Sequence, residues 1–127
     1  MIPMDILVVG VSSIFVKRML PALLASPAVG RIHLASRRAL VEAPIPADRM
    51  GQRFEGYDAA LTALPPCLAY ISLPNHLHVQ WTRAALEAGF HVIVDKPAVM
   101  RLDEAQALAA LASDRGRCLA EATVWQF

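Results

Sequence analysis

The heptapeptide His91-Val-Ile-Val-Asp-Lys-Pro97 decides how the chain is read. It is a short, β-branched apolar run bounded upstream by Gly89 and closed by Pro97, and it reads as a buried strand rather than a helix. The run ends by delivering an acid, a base and a proline in succession. A lysine at the carboxyl tip of a buried strand must find solvent, a carboxylate or a ligand, because burying its charge unpaired is costly. Asp95 points to the opposite side of the strand from Lys96, so the two need not pair. Pro97 fixes the exit and is a candidate for a cis peptide bond.

Outward from this strand the chain alternates between short apolar runs and helical patterns. Asp5 to Val9 is a strand that turns at Gly10, and Ile14 to Ala25 carries Phe15, Met19, Leu20, Leu23 and Leu24 at helical spacing. Pro21 lies inside that helix, where it costs about 3 kcal/mol, so a kink or break is expected. Arg31 to Ala35 is a second strand ending in Ser36-Arg37-Arg38. Pro44 and Pro46 make residues 41–50 a loop, and Gln52 to Phe54 forms a short third strand. Asp58 is expected to cap a two-turn helix that ends before Pro65-Pro66. Cys67 to Leu73 is a fourth strand stopped by Pro74, with Asn75 capping a helix that runs to Ala88 and is terminated by Gly89. After the opening motif, Asp103 and Gln106 resemble a capping box for a helix through Ser113 whose apolar stripe is Ala107, Leu108 and Leu111. Residues 118–124 make a sixth strand.

This rhythm specifies an α/β fold of the Rossmann type: a doubly wound, mainly parallel sheet with helices on both faces. A length of 127 residues suits one domain, and 56% hydrophobic against 18% charged residues leaves enough apolar side chains to cover the sheet twice. Twelve basic against eleven acidic residues give a net charge of +1, too little to hold nucleic acid or a membrane surface. Neither a signal segment nor a run of about 18 apolar residues occurs, so a cytoplasmic location is expected. Cys67 and Cys118 form no CxxC unit and read as apolar fillers rather than a disulfide. His76 and His78, two apart, point to different sides of a helix, so no metal site is expected.

In such sheets ligands collect beyond the carboxyl ends of the strands, where Gly10, Ser36, Pro74 and Lys96 all fall. Gly10-Val-Ser-Ser-Ile-Phe15 occupies the place of the dinucleotide fingerprint GxGxxG but keeps only its first glycine. The amides of the following turn suit a pyrophosphate, with Ser12 and Ser13 as added hydroxyl donors; the other reading is a plain turn with a Ser cap. At Ser36-Arg37-Arg38 no acid is present to hold a ribose 2′-hydroxyl. The guanidinium and hydroxyl groups there fit the 2′-phosphate of NADP better than NAD, unless they are simply a solvated basic turn. His78, in the first turn of its helix, is either a hydrogen-bond donor to a ribose or substrate hydroxyl or a surface residue. The nucleotide-binding set expected at this edge is Gly10, Ser12, Ser13, Ile14, Ser36, Arg37, Arg38, Leu73, Pro74, Asn75, His78, Asp95, Lys96 and Pro97.

Four segments together resemble the amino-terminal domain of the Gfo/Idh/MocA oxidoreductases, the glucose-fructose oxidoreductase and inositol dehydrogenase family. They are Val8-Val9-Gly10, Ile71-Ser-Leu-Pro-Asn-His-Leu-His78, Ala84-Ala-Leu-Glu-Ala-Gly89 and His91 to Pro97. The resemblance spans essentially the whole chain. It implies an NAD(P)-dependent enzyme acting on the CH–OH group of a sugar, cyclitol or similar polyol. It also implies that Lys96 is the active-site lysine of a Glu-Lys-Pro motif, and that Asp95 replaces the glutamate with one methylene fewer. Family members continue into a carboxyl-terminal domain that supplies most of the substrate pocket and the oligomer interface; these 127 residues are expected to lack it and to turn over little alone. The alternative is a non-catalytic nucleotide sensor or interaction module, with Trp125 and Phe127 adding exposed apolar surface.

Overall fold

Six parallel strands form one sheet in the order β3-β2-β1-β4-β5-β6: β1 (Met4–Val9), β2 (Val29–Ser36), β3 (Met50–Glu55), β4 (Leu68–Ile71), β5 (His91–Asp95) and β6 (Leu119–Ala122). This computed structural model describes residues 2–37 and 42–122. The order reverses between β1 and β4, and the crevice at that reversal is where doubly wound sheets bind nucleotides. Val9 pairs with Ala35 on one side and Ile71 on the other, and Ile71 pairs with Val94, so four strand ends arrive in register at one edge.

Strand alternation divides the core between the two faces. Leu7, Val9, Ile71, Val92 and Val94 face one side, packed with Leu86, Phe90, Leu108 and Ala112; that side is covered by α2 (Tyr57–Ala63), α3 (His78–Glu87) and α4 (Leu102–Arg115). Ile6, Val8, Ile32, Leu34 and Tyr70 face the other side, with Phe15 and Leu20 from the first helical segment. A strand buried on both faces is continuously apolar, which is why β1 reads as Ile-Leu-Val-Val.

The proline at 21 is accommodated without a break. Residues Phe15–Met19 form a π-helical turn, in which the Leu20 amide bonds the Phe15 carbonyl, and α1 (Leu20–Ala25) follows with Pro21 at its start. A proline lacks the N–H of an α turn and its ring collides with the carbonyl four residues back; a wider turn just upstream relieves both. Phe15 stands where the fingerprint would have its third glycine. Fully buried, it spaces the helix from the sheet and lies 6.1 Å, centroid to centroid, from the Tyr70 ring.

Three expected caps are corrected. Asp58 lies inside the first turn of α2, whose N-cap is Gly56. Asn75 opens a 3₁₀ turn (Asn75–Leu77) ahead of α3 and makes no side-chain cap there. Asp103 pairs with Arg101 at 2.9 Å instead of forming a capping box, and Ala107 is exposed while Ala112 joins Leu108 in the core. Charge beside a helix start stabilises it without a direct bond to a backbone amide, so the sequence pattern survives while the cap does not. α4 runs to Arg115, past the expected end at Ser113, and closes on the left-handed Gly116. Residues 123–124 of the expected sixth strand lie outside the described residues, as do Trp125 and Phe127.

Arg49, in the loop before β3, binds four backbone carbonyls at 3.0–3.2 Å: Leu23, Leu24, Val29 and Gly30. The end of α1 and the start of β2 are thereby held by one guanidinium. No helix among the described residues is long and apolar enough to cross a membrane.

Candidate functional site

Two neighbouring clefts open along the carboxyl edge of the sheet. The first, about 410 Å³, is lined by Gly10, Val11 and Ser12 after β1, Ser36 and Arg37 at the end of β2, Tyr57 at the start of α2, and Ser72, Pro74 and Leu77 after β4. The second, about 240 Å³, is lined by Ile14, Leu73, Asn75, His78, Asp95, Lys96 and Ala122. Of the fourteen expected residues, then, eleven line one or other cleft. Ser13 and Pro97 are exposed and line neither, and Arg38 lies outside the described residues.

Gly10 makes the first cleft possible. Its φ is +92°, and a Cβ there would sit 2.5 Å from Leu73 Cδ2 and closer still to the Ser72 carbonyl oxygen. Glycine alone permits both the conformation and the close approach of the β1 turn to β4. The helical segment that follows presents first-turn amides lacking intrahelical partners, the usual receptor for a pyrophosphate. Arg37 is solvent-exposed at the end of β2. Burial pushes the Tyr57 phenol up, the Arg37 guanidinium draws it back, and the Tyr57 ring meets Trp81 edge-on at 4.9 Å.

The serines of the turn divide their roles. Ser12 Oγ accepts the Phe15 amide at 3.0 Å, which is the Ser-cap reading of the turn, and lies 2.5 Å from Ser72 Oγ. Ser72 in turn donates to Asp95 Oδ2 at 2.9 Å, and Tyr70 donates to Asp95 Oδ1 at 2.5 Å. Because the single Ser72 proton goes to the carboxylate, Ser12 must donate to Ser72. The Ser12 proton is therefore committed inside the protein, which corrects its expected part as a donor to phosphate. Tyr70 is buried, and burial together with the Asp95 bond raises its phenol far above the ordinary range.

His78 is also corrected. It is 1% exposed, with Nδ1 2.7 Å from the Pro97 carbonyl and Nε2 2.7 Å from the Leu73 carbonyl, so neither nitrogen is open to a ligand. It joins the β4 exit to the turn after Lys96. The Lys96–Pro97 bond is cis, as the sequence suggested. Lys96 itself is exposed beside the second cleft, and the ion pairs among the described residues do not involve it. Solvent, rather than Asp95, meets its charge.

Val11, Tyr57, Ser72 and Leu77 line the first cleft without having been expected there. Ser72 and Tyr57 each follow the end of a strand, and the strand-end rule that located Ser36 applies to them equally.

Comparison with known proteins agrees with this geometry. Residues 4–123 match the family model described as "Oxidoreductase family, NAD-binding Rossmann fold". A dTDP-3,4-didehydro-2,6-dideoxy-alpha-D-glucose 3-reductase of Streptomyces violaceoruber is 42% identical over 115 residues, covering 90% of this chain and 33% of that protein. D-xylose 1-dehydrogenase (NADP(+)) 2 of Haloferax volcanii is 35% identical over 122 residues, covering 94% of this chain and 37% of the relative. The crystal structure of KijD10, a 3-ketoreductase from Actinomadura kijaniata in complex with TDP-benzene and NADP, superposes with a TM-score of 0.81 at 35% identity; 94% of this chain and 38% of that one are covered. The chain thus spans 33–38% of the length of these relatives. With the fingerprint turn, the strand order and these matches in agreement, the chain belongs to the Gfo/Idh/MocA oxidoreductase family, as its NAD-binding Rossmann domain.

Proposed function

We propose that this domain binds NADP in the first cleft, and that the protein to which it belongs moves hydride between the nicotinamide and an alcohol or ketone carbon of a sugar, cyclitol or similar small polyol. The observation that carries the cofactor choice is the end of β2, where Ser36 and Arg37 line the same cleft as Gly10 and where no carboxylate stands to hold a 2′-hydroxyl. A guanidinium supplies planar, paired donors to a phosphate, and a carboxylate in its place would repel one. NADP-dependent relatives acting on sugars support the same reading.

On this reading the residues divide the work. Gly10 admits the pyrophosphate to the turn and Arg37 holds the 2′-phosphate. Pro74 and Leu77 wall the cleft against water, and Asn75 and Lys96 border the space for the reacting carbon. The nicotinamide supplies the hydride chemistry when bound. Lys96, an exposed ammonium at the rim of the second cleft, orients the substrate oxygen and carries its proton. Substrate is held at reacting distance by parts of the protein beyond this domain, so the 127 residues alone bind nucleotide and turn over little. A cytoplasmic location and a homo-oligomeric whole enzyme belong to the same proposal.

Titrating the chain with NADPH and following its fluorescence tests the cofactor claim: saturable binding displaced by NADP is expected, and its absence contradicts the proposal. For Lys96, the whole enzyme carrying Lys96→Ala is expected to lose about 10²–10⁴-fold in kcat. Unchanged turnover would make the lysine a bystander.

A further inference from the structure

We propose that Asp95 is a positioning residue for the phosphate turn, acting two strands away by setting the direction of a hydroxyl relay. This rests on the NADP reading above and adds a residue-level account of how the turn is tuned. The relay runs from the Phe15 amide to Ser12 Oγ at 3.0 Å, from Ser12 to Ser72 at 2.5 Å, and from Ser72 to Asp95 Oδ2 at 2.9 Å. Tyr70, 3% exposed, donates to the other carboxylate oxygen. An ionised carboxylate only accepts, so each hydroxyl upstream must point its proton toward residue 95. The turns after β1 and β4, which line the nucleotide cleft, are thereby tied through side chains to the end of β5, which lines the second cleft, and the tie ends on the residue next to Lys96.

The direction of the relay has a chemical consequence. Ser12 lines the cleft, but its proton is spent on Ser72 and one lone pair on the Phe15 amide, so it turns a lone pair rather than a donor toward an incoming phosphate. Asp95→Asn reverses this. The buried Tyr70 hydroxyl needs an acceptor, so it takes the amide oxygen and leaves the amide N–H₂ facing Ser72. Ser72, now accepting from residue 95, donates to Ser12, and the Ser12 proton is released to the cleft. Asp95→Ala removes the same charge but leaves the relay without an end.

The two variants are equal in charge and differ both in the relay and in the acceptor offered to Tyr70, and the Ser12→Ala background separates these two effects. In NADPH titrations of the chain, Asp95→Asn is expected to bind about tenfold more tightly than Asp95→Ala, the effect of one hydrogen bond to a charged acceptor. Adding Ser12→Ala to both is expected to erase that difference. Equal affinities of Asp95→Asn and Asp95→Ala, or a difference that survives Ser12→Ala, would overturn the proposal. Amide exchange of Phe15 gives a readout that needs no nucleotide: protection is expected to hold in Asp95→Asn and to fall in Asp95→Ala. Loss of protection in neither variant would refute the relay even where the unaltered chain binds NADPH. Failure of the unaltered chain to bind, with the exchange pattern intact, would refute the cofactor reading and with it the phosphate role of Asp95 while locating the error in the cofactor.

Discussion

Replacing Gly10 by alanine tests the steric basis of the nucleotide cleft. Two costs are expected. The φ of +92° is unfavourable to an L-residue by about 1–2 kcal/mol. The added methyl also meets the Ser72 carbonyl oxygen at the β4 exit, where the Ser72 amide is bonded to the Val9 carbonyl at 2.9 Å. Overpacking of this kind costs about 1–3 kcal/mol. Against these stands a gain of about 0.4–1 kcal/mol from stiffening the unfolded chain. The net loss is about 1–5 kcal/mol, a large part of the ~5–15 kcal/mol that holds a domain folded. Gly116→Ala is the control: its φ of +63° carries the conformational cost, yet nothing lies within 4 Å of the added carbon. Urea unfolding followed by circular dichroism is the assay. With a slope of about 1–3 kcal/mol/M, Gly10→Ala is expected to lower the midpoint by about 1–2 M and Gly116→Ala by about 0.5 M or less. Equal shifts would refute the claim that contact between the β1 turn and β4, rather than backbone conformation, excludes a side chain at residue 10.

Arg49→Lys is expected to cost about 2–3 kcal/mol by urea unfolding, because an ammonium cannot span four carbonyls that a guanidinium reaches together; a loss below 0.5 kcal/mol on the ~1 kcal/mol scale of single bonds would contradict that role. His78→Phe removes the ring nitrogens that lie 2.7 Å from the Leu73 and Pro97 carbonyls, so at least one buried carbonyl loses its donor and stability falls by about 1–3 kcal/mol. Lower NADPH affinity at undiminished stability would instead make His78 a ligand contact. Burial pushes the Cys67 thiol up to about 11 from 9.0, whereas Cys118 is exposed, so a thiol reagent at pH 8 is expected to modify Cys118 quickly and Cys67 slowly. A folded value raised above the unfolded one means that the native state keeps its proton longer. The Cys67 contribution to stability is therefore present below pH 9.0 and is lost as pH rises toward about 11; two equally fast thiols, or a Cys67→Ser chain with the same alkaline loss, would contradict it.

The parts of this molecule that are legible in its sequence are those written locally. Continuous apolar runs such as Ile6 to Val9 and Val92 to Val94 announce strands buried on both faces, and their spacing around helical patterns implies the parallel order. Glycines at residues 10 and 89 mark turns because their positive φ is a property of the single residue. Helix starts are less readable. Asp58, Asn75 and Asp103 all sit within a turn of the right place, yet none closes a cap: the N-cap positions fall to Gly56, Pro74 and Arg101. Pro21 announces a disturbance but not its form, since a widened turn and a break remove the same clash. Least readable are the relations between distant residues. Ser12, Ser72 and Asp95 are individually ordinary, and only the register of β1, β4 and β5 makes them a relay. His78 looked like an available donor because sequence does not report that two carbonyls, one of them 19 residues away, occupy its ring.

The central claim is that the end of β2 selects a 2′-phosphate, and the ratio of NAD to NADP dissociation constants measures it directly in the unaltered chain and in Arg37→Ala. Charge-assisted bonds from a guanidinium to a phosphate are worth about 1.5–3 kcal/mol, or about 10- to 150-fold. The account predicts that the unaltered chain prefers NADP by at least about tenfold. Arg37→Ala is expected to lose most of that preference by weakening NADP binding alone. Equal affinity for the two nucleotides in the unaltered chain, or a preference that Arg37→Ala leaves intact, would contradict it.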